Sequence, residues 1–266
     1  MLQRFPVSKL LLIGFLPVAS IIAYAGLVRT PTRAAVGGSA MMSGTTRPAT
    51  QASVTLVHFN MRSGIGLDDT RDLNRTAEVI RRGDFITLNE VRGGYFSNQA
   101  DELGQRLTLN ALFAPTEHTR FRDDFGNAML TRLPVDSWTR FPLPGTQASG
   151  HRNVTLVRTR IGDVPATIMF THIDRVIDRA QQLAVLWQLF SNTPAPVIVM
   201  ADFNTRADDP LLAPFLPYVL DHAATTQPGT IDWIFARGVT ALETGTVQNV
   251  ASDHPMVWAR VTVTQP

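Results

Sequence analysis

The 266-residue sequence predicts an α/β domain, and three observations carry that prediction. Its composition, 44% hydrophobic and 17% charged, is that of a chain able to bury a core, which excludes a wholly disordered polymer. From Val54 to Val263 short apolar runs alternate with segments of helical spacing, the pattern of a strand-and-helix fold. That stretch shows no internal repeat and has the length of one domain. Cysteine is absent, which excludes disulfide frameworks, thiolate nucleophiles, zinc ribbons and iron–sulfur clusters, so any metal must sit on oxygen or imidazole.

At the N-terminus Arg4 and Lys9 precede an apolar stretch from Leu10 to Leu27, interrupted by Pro17 and Ser20 and closing on Ala23-Tyr24-Ala25. A basic start, an apolar middle and a small-residue end mark an export segment. Residues 1–28 are therefore expected to be a signal peptide cleaved after Ala25, or a single membrane anchor, since the 18-residue run is just short of a spanning helix. Either outcome puts the body outside the cytoplasm, secreted, periplasmic or anchored, because the leading positive charges stay inside. Lys9 is the only lysine, and after residue 29 the chain holds 21 basic and 22 acidic side chains. Such a body has no whole-protein field for nucleic acid, although a local arginine patch is compatible with it. Residues 29–52, rich in Pro, Thr, Gly, Ser and Ala without periodicity, are expected to be a flexible linker to a domain at 53–264.

Strands are expected at Val54–Phe59, Phe85–Leu88, Ala128–Thr131, Val154–Ile161, Ala166–Thr171, Val197–Ala201, Ile231–Phe235 and Met256–Val263, each apolar or alternating and bounded by turn residues. A helix over Asp72–Arg82 is expected from Leu73, Ala77 and Ile80 at spacings of four and three. A second is expected after Asp174 as N-cap, with Val176, Ala180, Leu183, Trp187 and Phe190 as its apolar stripe and Trp187 in the core.

The polar residues that stand out all end apolar strands or follow them. Val54–Phe59 runs into Asn60, Phe85–Leu88 into Asn89-Glu90, Ala166–Thr171 into His172, and Val197–Ala201 into Asp202-Phe203-Asn204. Side chains two apart in extended chain share a face, so Asp202 and Asn204 can point together. Asp232 lies in the apolar run Ile231–Phe235, and Ser252-Asp253-His254-Pro255 precedes the last strand. A carboxylate inside an apolar run needs a partner, and histidine is the natural one.

The succession FNMRSG, LNEVRGG, GNAMLTRLPV, THID, ADFN, IDWIF and SDHP resembles the endonuclease/exonuclease/phosphatase superfamily across Val54 to Val263. The resemblance implies a four-layer sandwich of two packed, mainly antiparallel sheets flanked by helices, with the site at one end. It implies that Glu90, helped by Asn60 and Asp253, holds Mg²⁺ or Mn²⁺. His254 would be the general base for the attacking water, with Asp232 orienting it; Asp202 and Asn204 would orient the water and a phosphoryl oxygen. His172 would donate a hydrogen bond or proton to the phosphoryl group, and Arg152 would contact phosphate. Asn89 stands where many members carry glutamine, no tyrosine is placed before the GNAMLTR strand, and Glu117 is where an acid orients the histidine in some members. His58, His118, His151 and His222 match no family motif and are expected to be structural or exposed.

The implied activity is hydrolysis of phosphodiesters by in-line attack of water. Nucleic acid is the first substrate expected, on Arg120, Arg122, Arg132, Arg140, Arg152, Arg175 and Arg206 as a groove. A phospholipid is the second. A chain whose only lysine is in the leader argues against a lysine-rich inositol phosphate pocket. A non-catalytic binding module on the same fold, and a zinc hydrolase using His172, Asp174 and His254, are the alternatives of other classes.

Overall fold

The computed structural model describes residues 29–38, 42, 53–94, 96–119, 123–145 and 150–263. The expected export segment at 1–28 lies outside the described residues. No helix among the described residues is long and apolar enough to cross a membrane.

Among the described residues thirteen strands form two sheets. The seven-stranded sheet contains β1 (Arg29–Pro31), β3 (Ser53–Asn60), β4 (Phe85–Gly93), β5 (Asn110–Thr119), β6 (Asp124–Thr131), β12 (Thr240–Val247) and β13 (Met256–Thr262), in the order β1-β5-β6-β4-β3-β13-β12. The six-stranded sheet contains β2 (Ala35–Gly37), β7 (Val135–Pro142), β8 (Asn153–Ile161), β9 (Val164–His172), β10 (Val197–Asp202) and β11 (Asp232–Arg237), in the order β11-β10-β9-β8-β7-β2. Every pairing is antiparallel except β3 with β4 and β9 with β10. Among the described residues three α-helices occur, α1 (Leu73–Ile80), α2 (Gln99–Leu107) and α3 (Arg179–Asn192).

Side-chain alternation divides the core into layers. Between the sheets pack Val54 and Leu56 of β3, Phe85 of β4, Ile168 and Phe170 of β9, Ile198 and Met200 of β10, and Ile234 of β11. The opposite faces of those strands hold Val57 and Phe59 beside Ile80 and Leu103 of α1 and α2, and Val199 and Phe235 beside Leu186 and Phe190 of α3. The result is the four-layer, mainly antiparallel sandwich that the sequence implies.

The structure corrects several local readings. Within the stretch expected as a linker, β1 pairs with β5 and β2 with β7. Edge pairing uses backbone groups, so composition gives no sign of it. Strands β5, β7 and β12 were not expected: β5 contains Pro115 at a register shift, and β12 is a largely exposed edge without an apolar face. Helix α2 was likewise unforeseen. Helix α3 starts at Arg179, five residues after Asp174. Asp174 instead uses Oδ2 to accept the N–H groups of Val176 and Asp178, both at 3.2 Å, which fixes a loop before the helix and leaves Val176 exposed. Trp187 packs partly buried against Phe190, Phe215 and Tyr218.

Candidate active site

The inward face of each central strand is apolar until its last turn, then polar. In β3 the face reads Val54, Leu56, His58, Asn60; in β4 Phe85, Thr87, Asn89; in β9 Ile168, Phe170, His172; and in β10 Ile198, Met200, Asp202. In β11, which runs the other way, Asp232 comes first, followed by Ile234. Ladder register then sets these polar ends side by side, with Asn60 opposite Asn89, and Asp202 opposite both His172 and Asp232. The sheets close on one another around a small polar volume at one end.

Asn60 bridges the two sheets. Its Nδ2 donates to Glu90 Oε1 and to Asp202 Oδ2, both at 3.1 Å, while its Oδ1 accepts the Arg62 N–H. Glu90 follows Asn89 at a bulge where the β4–β6 register shifts, and its φ of 59° lies in the left-handed region. An extra residue there re-aims the side chain towards Asn60, at a backbone strain of about 1 kcal/mol or more. Asp253 is exposed and tied to this corner through Ser252, whose Oγ donates to the Asn60 carbonyl at 2.7 Å and lies 3.2 Å from Asp253 Oδ1.

Asp232 is buried between two histidines. His254 Nδ1 contacts its Oδ2 at 2.7 Å, and His58 Nε2 lies 3.2 Å from its Oδ1, close but at an angle short of a good hydrogen bond. His58 Nδ1 in turn meets Thr87 Oγ1 at 2.9 Å. Burial works to raise the Asp232 pKa, but the His254 bond and the close His58 ring outweigh it and hold it below the ordinary value. For His254 burial disfavours the charge, yet the Asp232 bond and the surrounding carboxylates push its pKa up to about 9.

His254 Nε2 opens towards Asp202 Oδ2 at 3.9 Å. Burial first, and the nearby Asp232 charge second, push the Asp202 carboxyl up to about 7. Asp202 Oδ1 accepts the Asn204 N–H at 2.8 Å, and Asn204, at φ 46°, turns its Nδ2 to His172 Nε2 at 3.1 Å and to the Ile173 carbonyl at 2.9 Å. His172 Nε2 is also 3.3 Å from Asp202 Oδ2. Burial, then the positive neighbours Arg152 and His254, hold the His172 pKa well below the ordinary imidazole value. A neutral His172 can offer a hydrogen bond but not an imidazolium proton at neutral pH. Arg152 is buried at the head of β8, its Nε without a hydrogen-bond partner, and it feels the charges of Asp174, Asp202, Glu90 and Glu117.

The structure thus joins Asn60, Glu90, His172, Asp202, Asn204, Asp232 and His254 in one contact network, with Asp253 and Arg152 at its margin. One donor atom each of Asp202, Asp232 and His254 lie within 4.8 Å of one another, so these three could hold a metal ion as well as Glu90 and its neighbours. Glu117 accepts the His151 N–H at 3.4 Å and faces Arg29, leaving His172 Nδ1 without a hydrogen-bond partner. Asp174 gives its Oδ2 to backbone N–H groups, and the donor group that comes together among the described residues is Asp202, Asp232 and His254, so the zinc set His172, Asp174 and His254 is not assembled. Two contributors carried no assigned site role in the sequence reading. His58, expected to be structural or exposed, backs Asp232; it stands two residues before Asn60 and so shares its face, a signal that alternation offers. Asn89 ties the sheets together, its Nδ2 donating to Asn127 Oδ1 at 2.7 Å and to the Thr171 carbonyl at 2.9 Å while its Oδ1 accepts the Asp202 N–H at 3.1 Å.

The sequence pattern of the endonuclease/exonuclease/phosphatase family matches residues 57–254. No curated protein matches the sequence significantly. Among solved structures, the chain is similar to an endonuclease/exonuclease/phosphatase from Beutenbergia cavernae, at 18% identity and a TM-score of 0.62, over 80% of this chain and 72% of that one. It is similar to the human Nocturnin catalytic domain with bound sulfate anion, at 16% identity and a TM-score of 0.60, over 83% of this chain and all of that one. It is also similar to D. rerio TDP2 complexed with single-strand DNA product, at 16% identity and a TM-score of 0.57, over 80% and 100% of the two chains. At these identities the structures share the fold. The chain belongs to the endonuclease/exonuclease/phosphatase family, whose members are hydrolases of phosphoester bonds.

Proposed function

We propose that the chain is a divalent-metal-dependent phosphodiesterase in which Asp232 and His254 manage the proton of the attacking water. The observation that carries the reading is the 2.7 Å contact between Asp232 Oδ2 and His254 Nδ1, which leaves the other ring nitrogen open to the carboxylate cluster at Asp202. A buried acid that fixes the ring is what a general base needs.

The residues fit a hard cation. Glu90, Asp253 and Asp202 offer carboxylate oxygens, and Asn60 would offer its amide oxygen once its side chain turns from the Arg62 N–H. Glu90, Asn60 and Asp253 would hold Mg²⁺ or Mn²⁺, with Asp202 beside them. Bound there, the ion supplies polarisation of a phosphoryl oxygen and positive charge against the carboxylates. In the protein's own field the His254 imidazole keeps its proton at neutral pH, and offsetting part of the carboxylate charge lowers its pKa towards the range of a base.

Water placed between His254 Nε2 and Asp202 attacks phosphorus, its proton passes to Nε2, and the bond to the leaving oxygen breaks. Once their mutual contact opens, Asn204 Nδ2 and a neutral His172 would offer hydrogen bonds to the phosphoryl oxygens as charge builds there. Arg152, buried with an unpartnered Nε, supplies positive charge to the same group.

For nucleic acid, the first substrate expected, Arg152 and the adjacent exposed Arg175 are the support among the described residues. Arg132 is 3.3 Å from Asp84, beyond the other end of β6, Arg206 pairs with Asp208 at 2.8 Å, and Arg120 and Arg122 lie outside the described residues. The phospholipid reading has its own support in the apolar residues around the site.

The full chain should hydrolyse a soluble aryl phosphodiester with Mg²⁺ or Mn²⁺ and stop in chelator. His254→Ala and Asp202→Ala should each lower the rate about a hundredfold or more. Undiminished turnover in chelator, or in both variants, would reject the mechanism.

A further inference from the structure

Seven large apolar side chains are exposed among the described residues, and five of them sit at the end of the sandwich that holds the proposed site. Leu67 follows β3 and Asn60, Phe96 follows β4 and Glu90, Val176 and Ile177 follow β9 and His172, and Val250 lies in the β12–β13 connection that carries Asp253 and His254. Scattered singly, such residues would call for no explanation; gathered on four connections at one end of the sandwich, they form an apolar rim.

These connections are tied to their surroundings. The Leu67 N–H donates to the Val250 carbonyl at 3.0 Å, and Gly94 N–H donates to the Ser97 carbonyl at 2.8 Å, closing the turn on which Phe96 stands fully exposed. Asp174 holds the backbone on either side of Ile177. Charged groups of both signs lie among them, Arg62 with Asp69 at 3.2 Å and Arg206 with Asp208 at 2.8 Å as pairs and Arg175 exposed beside Val176.

The chain's entry supplies a second, independent observation. Strand β5 runs towards the site end, and β1 lies antiparallel to it, with Arg29 opposite Thr119 and Pro31 opposite Glu117. Arg29, the first described residue, therefore stands at the site end of the sandwich. The 18-residue apolar run Leu10–Leu27 ends two positions upstream of Arg29.

We propose that this end of the sandwich docks on a phospholipid bilayer, with the N-terminal apolar run in the same membrane and a lipid phosphodiester presented to the site. The substrate half rests on the phosphodiesterase reading, whereas the docking half stands on the rim and the entry alone. Apolar tips that enter the acyl boundary without a basic surface bind zwitterionic lipid and are indifferent to salt, unlike a polyanion groove.

The absence of cysteine makes a single introduced thiol a unique label. The full chain carrying a fluorophore at Phe96→Cys or Ile177→Cys, reconstituted with phosphatidylcholine vesicles containing brominated acyl chains, should be quenched severalfold more than one labelled at Asp163→Cys. Asp163 is exposed in the β8–β9 turn at the opposite end. Equal quenching at the three positions, or none, overturns the docking. On unlabelled chains, replacing Leu67, Phe96, Ile177 and Val250 by Ser should lower turnover of vesicular phosphatidylcholine about tenfold and leave the soluble aryl diester unchanged. Plasmid DNA cleaved with a steep salt dependence by both chains, with vesicles ignored, overturns the lipid assignment in favour of nucleic acid. No turnover of the soluble diester would instead remove the phosphodiesterase reading, and the quenching would still decide the docking.

Discussion

One proton, held between His254 and Asp232, couples the fold to pH. The His254 pKa, about 9 in the native chain, exceeds its ordinary value of 6.5, so the native state keeps a proton that the unfolded chain releases. That stabilisation is complete below pH 6.5 and is lost as pH rises through about 9. The thermal midpoint, measured in chelator, should therefore fall between those two values. The fall should shrink in His254→Gln, which retains hydrogen-bonding capacity without titrating in that range; a wild-type midpoint that rises over the interval would contradict the assignment. At this scale much was legible. A strand-terminal Asp202, and Asp232 within an apolar run, announce themselves because an acid there has no water to turn to. His58 did not, because a histidine inside an apolar strand has the same sequence signature whether it packs against a hydroxyl or stands behind a carboxylate.

At the scale of elements, the site is the polar cap of the inter-sheet core. Asn89 of β4, Asn127 of β6 and Asn153 of β8 form a buried chain across the sheets: Asn127 Nδ2 donates to Asn153 Oδ1 at 3.3 Å, and Asn153 Nδ2 donates to the Pro115 carbonyl at 2.8 Å. Truncating Asn89 leaves the Asp202 N–H and the Thr171 carbonyl without this partner in a volume closed to water. Asn89→Ala should then destabilise the protein by about 1–3 kcal/mol in urea unfolding. A change below about 0.5 kcal/mol, the range of an ordinary surface substitution, would mean that the sheets are not held together there. The central strands β3, β4, β6 and β8 to β11 were readable from their apolar or alternating runs, whereas β5 and β7, which also reach the inter-sheet core, and the short or exposed edges β1, β2 and β12 were not. The start of α3 was misplaced because Asp174 does what an N-cap does, accepting backbone N–H groups, but for a loop and not for the helix.

For the whole molecule, one topological fact gathers the chemistry. The parallel pairs β3 with β4 and β9 with β10 bring four strand C-termini to one end of the sandwich, and the antiparallel neighbours return β11 and β13 with Asp232 and His254 to the same place. Sequence order alone did not show this, since strand succession does not fix which edges pair; the family resemblance supplied it. A cation that binds this end in the native state alone also stabilises the fold, by about 2.7 kcal/mol at a hundred times its Kd, or roughly 5–10 °C in Tm for a domain of this size. Calorimetric titration of the full chain with Mg²⁺, followed by phosphodiester turnover on the same sample, in wild type and Glu90→Gln, measures whether that end is a metal-dependent site. Heat and rate should share one saturation curve, displaced about tenfold or more to higher Mg²⁺ in Glu90→Gln; turnover that is independent of Mg²⁺, or binding that the substitution leaves unchanged, would contradict the account.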